Sequence, residues 1–123
     1  MIDEDLAEYM LDAASKHTPV LAEVRLESTS CMQLALKAGQ VDTIASSQDA
    51  GMNVKIFFAS GVGFSSSNVV SKAEGLRLVR QAVSQAKSAR RKSPCTLSAE
   101  KAVRTSWEVR QKKSLADVTT EEK

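Results

Sequence analysis

Three kinds of side chain in this sequence could carry chemistry: one imidazole, two thiols, and a row of cationic groups in the second half. His17 is the only histidine, and Cys31 and Cys95 have 63 residues between them. Zinc hydrolysis needs two or three His or carboxylate ligands that converge, usually two from one helical turn, with a base to activate the water. One imidazole and no His-Glu-x-x-His run cannot build such a site, and neither a Ser-His-Asp nor a Cys-His arrangement can be assembled. His17 falls near the end of a predicted helix, where a partly cationic ring suits the dipole. The cysteines read as a small strand-face residue and a linker thiol. No catalytic, cofactor-binding or metal residue is expected within this chain.

Gly61-Val62-Gly63 begins like a phosphate loop, but Ser66 stands where a third glycine belongs and no lysine follows at P-loop spacing. A hairpin turn is the better reading. Arg77, Arg80, Lys87 and Arg91, extended by Arg90 and Lys92, form a basic stripe on a predicted helix and are the candidate interaction face. Only five residues are aromatic and none is interleaved with the stripe for base stacking. A solvated face or a protein interface therefore fits it better than nucleic acid.

Seventeen basic and fifteen acidic residues leave a net charge of +2, too small to argue for a polyanionic partner. A chain of 123 residues suits one ordinary core, burying about two-thirds of its unfolded surface. The start is acidic and lacks a secretory signal, and no stretch reaches the length of a membrane span. The expectation is a soluble protein of a reducing cytoplasm.

The densest strand signal lies at 52–59, where Met52, Val54, Ile56 and Phe58 share one face, so this strand is placed centrally. Before it, Leu6, Tyr9, Met10, Ala13 and Ala14 mark an amphipathic helix over about 3–16, ended by Thr18-Pro19. Residues 20–28 alternate as a strand, a Ser/Thr turn follows, and 32–37 alternate again. Ala38-Gly39-Gln40 is a tight connection, 41–47 a weaker rim strand, and 47–51 a further hairpin turn. A short fifth strand at 62–66 completes the longer count. Ser71 with Glu74 signs a capping box, and apolar residues from Leu76 to Ala89 cover one side of a helix reaching about residue 91. The expected fold is α+β: a four- to five-stranded antiparallel meander with two helices on one face, in the order α-β-β-β-β-α. Domain 1–92 is followed by an extended segment, 93–123, with one strand-like run at 104–111 around Trp107. A second capping box, Thr119 with Glu122, stands where a helix should begin. It predicts that the chain is the front part of something longer.

Several strings occur in a familiar order: A-E-V-R at 22–25, L-K-A-G-Q-V-D at 36–42, D-A-G-M-N-V-K at 49–55, and G-V-G-F-S at 61–65 ahead of the alanine-rich helix. D-V-T-T-E-E-K follows at 117–123. Together they resemble the N-terminal domain of the TldD/PmbA family, also called the modulator of DNA gyrase family, regarded as zinc metallopeptidases. The resemblance implies a non-catalytic domain that contributes to packing, dimer assembly and the peptide channel. Its partners would be a missing C-terminal catalytic domain, a family subunit in a homo- or hetero-dimer, and a peptide substrate. Zinc is expected only in the C-terminal domain of a catalytic parent, because the family's His-Glu-x-x-x-His helix and later cysteine have no counterpart here. Two other classes stay open. One is a stand-alone nucleic-acid or gyrase-associated module using the Arg77 to Arg91 stripe; the other is an interaction domain whose exposed strand edge pairs with another chain.

Overall fold

A computed structural model of the chain describes residues 4–89, 92–94 and 96–123. The first helix, α1 (Glu4–Ser15), carries Glu4 and Asp5 in its first turn, where exposed backbone N–H groups favour carboxylates. Leu6, Met10 and Ala14, spaced by four, are its buried stripe. The helix closes with His17 N–H donating to the Ala14 carbonyl at 3.0 Å, and Thr18 turns the chain at φ 52° ahead of Pro19.

Three strands follow, β1 (Leu21–Lys37), β2 (Gln40–Phe58) and β3 (Gly61–Ser67), in the sheet order β1-β2-β3. Ala38 and Gly39 form the two-residue turn between the first two, both with positive φ, 52° and 78°. That pair of left-handed residues matches the twist of antiparallel strands. β2 and β3 pair antiparallel from Met52 opposite Ser67 to Phe58 opposite Gly61. The last long helix, α2 (Lys72–Ser88), is capped by the Ser71 hydroxyl, which accepts from the Glu74 N–H at 3.2 Å.

The sheet has three strands where the sequence suggested four or five. The chain runs extended through 28–31 and 47–51, which composition marked as turns. All residues of β2 from Gln40 to Ala50 are exposed, so Ser, Thr, Gln and Asp sit on a solvated ladder. Polar content there reports solvation, not chain reversal. The Gly61-Val62-Gly63 turn is corrected as well: the chain reverses at Ala59-Ser60, and both glycines lie within β3, which is a full strand. A Cβ on Gly63 would lie 1.8 Å from the Ala82 carbonyl oxygen, and one on Gly61 2.4 Å from the Ala89 Cβ. Glycine is required because α2 rests directly on the strand.

Two compact units are present: Met1–Met32 with Ser46–Leu97, and Gln33–Ala45 with Ser98–Lys123. In the first, Met52, Val54 and Ile56 of β2 are buried beneath Leu78, Val79, Ala82, Val83 and Ala86 of α2 and Leu6, Met10 and Ala14 of α1. Ala22, Val24 and Leu26 of β1 flank this core half-buried. In the second unit, residues 98–110 carry no helix, ladder or turn, and the run around Trp107 is not a strand. Leu115–Asp117 is a single 3-10 turn, and the expected helix start at Thr119 is a turn in which Glu122 N–H donates to the Thr119 carbonyl at 3.2 Å. No described helix is long and apolar enough to cross a membrane.

Candidate functional site

The helix α2 places Arg77, Arg80 and Lys87 on its solvent side, while Arg91 lies outside the described residues, as do Arg90 and Cys95. These cations are engaged differently. Arg77 clamps the Glu74 carboxylate with two bonds, Nε at 2.8 Å and Nη2 at 2.6 Å. Its Nη1 donates to Gln81 Oε1 at 2.9 Å, and the same oxygen accepts from Ser65 Oγ at 3.0 Å. One polar chain thus runs from the first turn of α2 to β3. Lys87 Nζ stands 5.8 Å from the centre of the Phe58 ring, as Lys72 Nζ stands 5.4 Å from that of Tyr9. Arg80 is exposed.

This geometry sets the electrostatics. The Arg77 bonds first, and the Ser67 hydroxyl second, pull the Glu74 carboxyl from 4.5 down to about 2, while Glu74 raises Arg77 in return. A carboxylate held ionised in this way is unsuited to general acid-base work near neutral pH. Arg77 commits three of its donors to Glu74 and Gln81 on the helix surface, leaving fewer to grip a phosphate. What the arrangement does chemically is fasten helix to strand. Gln85 reinforces it by accepting from the Phe64 N–H at 3.0 Å, which occupies an outward-facing donor on the β3 edge.

Two recesses are lined by described residues. One, in the first unit, has a volume of about 400 Å³ and is lined by Glu27, Thr29, Asp49, Asn53, Ser66 and Asn68 with adjoining backbone. The other, in the second unit, has about 290 Å³ and is bounded by Leu34, Leu36, Val41 and Ile44 with Thr120, Glu121 and Lys123. Among the described residues no three His, Cys, Asp or Glu side chains gather where they could hold a metal ion, and His17 and Cys31 sit on different elements. The described residues do not fit a zinc centre.

Sequence reasoning located the basic helix side but missed its partners. Gln81 and Gln85 carried no signal, because an amide on a helix reads as a solvated residue until the strand beneath it is placed. Gly61 and Gly63 with Ala82 and Ala86 did carry one: small residues at strand and helix spacing that permit close approach.

Residues 22–86 match the family described as PmbA/TldA metallopeptidase domain 1. Among solved structures, TldE from Thermococcus kodakarensis is similar with a TM-score of 0.65 at 11% identity, over 84% of this chain and 23% of that one. At that identity the likeness concerns the fold alone, and the chain spans about a quarter of the TldE chain it matches. No curated protein sequence matches it.

Proposed function

The chain belongs to the PmbA/TldA metallopeptidase family as its domain 1, and from that premise we propose that it is a non-catalytic N-terminal domain serving to pack, pair and line a peptide path for a catalytic region encoded elsewhere. The match over residues 22–86 carries this reading. Two features support it. Helix and strand are bound together by the Glu74, Arg77, Gln81 and Ser65 chain, as suits a scaffold. Leu36, Val41, Ile44, Trp107 and Leu115 stand more than half exposed, as surfaces meant to be covered do. In the proposed protein residues 1–92 form the domain and 93–123 lead toward the next one. In a catalytic parent zinc would belong to that later domain, and a family subunit is the pairing partner, in the cytoplasm.

The test is peptide hydrolysis. The 123-residue chain supplied with zinc is expected to cleave no peptide, and a His-Glu-x-x-x-His run elsewhere in the parent protein would mark that parent as catalytic. Chelator-sensitive cleavage by the chain alone, lost on changing one of its own side chains, would overturn the proposal. The nucleic-acid reading has less support, since Arg77 is bound to Glu74 and Lys87 lies over Phe58.

A further inference from the structure

We infer that residues 105–111 of one copy add as an antiparallel strand to the outer edge of β1 in a second copy, and that the exchange is reciprocal. The inference rests on the subunit-pairing part of the proposed function, and its failure would leave the domain assignment standing.

The two edges of the sheet differ. On β3 the Phe64 N–H is taken by Gln85, which partly closes that side. β1 is the opposite edge, and among the described residues no further strand pairs with it. Its residues 22–27 alternate Ala22, Val24 and Leu26, half-buried against the core, with Glu23, Arg25 and Glu27, exposed. An edge strand turns N–H and C=O groups outward at every second residue, a ready template for main-chain pairing.

Residues 105–111 of the second unit have the matching character. Trp107 is 84% exposed and Val109 58%, with Glu108 and Arg110 alternating between and after them. Trp107 has almost no cover within its own copy, although burying a tryptophan removes roughly 150–250 Å² from water. Set antiparallel with Trp107 opposite Leu26, Val109 falls opposite Val24, Glu108 opposite Arg25 and Arg110 opposite Glu23. Apolar meets apolar on the core side, and each charge meets its opposite on the other. Directly opposed pairs of this kind are the unit of sheet stabilisation. Because every copy carries both the edge and the segment, the addition can be made twice, once in each direction, as a two-fold dimer requires.

The experiment uses the full chain with Cys31→Ser and Cys95→Ser as background. Chains carrying Val24→Cys are mixed with chains carrying Val109→Cys and oxidised; a disulfide-linked pair of the two is expected. Sedimentation of the unmodified chain should show dimer growing with concentration. Arg25→Glu or Glu108→Arg alone should weaken the dimer roughly tenfold, since each change acts twice in a two-fold pair, and the two together should restore it. A chain that is monomeric up to millimolar concentration overturns the inference. So does a link that forms only within one chain bearing both cysteines, and so does a double variant no tighter than the singles.

Discussion

Replacing Gly63 with alanine tests the central packing claim directly. The added methyl would lie 1.8 Å from the Ala82 carbonyl oxygen, 2.7 Å from the Ala82 carbonyl carbon and 2.8 Å from the Ala86 nitrogen. All three are helix backbone, so no side chain can swing away. Restoring ordinary contact near 3.4 Å requires α2 to retreat by roughly 1.6 Å over this strand. That lifts Leu78, Val79, Ala82, Val83 and Ala86 off Val54 and Ile56, which are fully buried. Overpacking costs about 1–3 kcal/mol where the surroundings can yield; here the cost should reach about 3 kcal/mol, against a total stability of about 5–15 kcal/mol. For a domain of this size that lowers the melting temperature by roughly 10 °C. Urea and thermal unfolding followed by circular dichroism would read it. Two controls sharpen the test. Ala82→Gly in the Gly63→Ala background should give no rescue, because the obstacle is a carbonyl. Gly75→Ala, whose methyl would meet the flexible Met10 side chain at 2.9 Å, should change stability by less than about 1 kcal/mol, the gain in helix propensity offsetting the crowding. A Gly63→Ala protein within about 0.5 kcal/mol of the parent would refute the close approach of helix to strand.

Further expectations follow from the helix cap and its network. The Glu74 carboxyl is depressed to about 2 in the folded chain, so its contribution to stability is whole above its ordinary value of 4.5 and is lost as pH falls from there toward 2. Glu74→Gln should flatten the urea midpoint over that window and leave its trend at neutral pH unchanged. Ser71→Ala removes the acceptor for the Glu74 N–H and should cost about 1 kcal/mol by the same assay. Met10→Ala empties a position with no solvent exposure and should cost about 2–5 kcal/mol. In a gel shift at low salt, the chain is expected to leave duplex DNA unshifted, and a salt-dependent shift abolished by Arg80→Glu would contradict that.

How far the sequence could be read depended on what each residue was responding to. Leu6, Met10 and Ala14, and Leu78, Val79, Ala82, Val83 and Ala86, respond to one core, so their spacing revealed both helices and their inward faces. Ala38-Gly39 responds to a backbone demand and was legible as a turn. Ser28, Thr29, Ser47 and Gln48 respond to the water around a long ladder, and such residues look the same in a turn. Gly61 and Gly63 respond to a helix distant in sequence, so they read as punctuation until α2 was set on them. The basic stripe was visible as charge. Its division into a clamp at Arg77 and a ring contact at Lys87 was not, because both partners are fixed by tertiary placement.

The turn at Ala38 bears on the order in which the chain assembles. A non-glycine residue at φ 52° carries about 1 kcal/mol of steric cost that nothing nearby repays until the ladder behind it exists. The β1 and β2 ribbon is therefore expected to zip from its inner end outward, with the tip closing late. Ala38→Gly should then slow unfolding while leaving the refolding rate nearly unchanged, and a faster refolding phase would show instead that the tip nucleates.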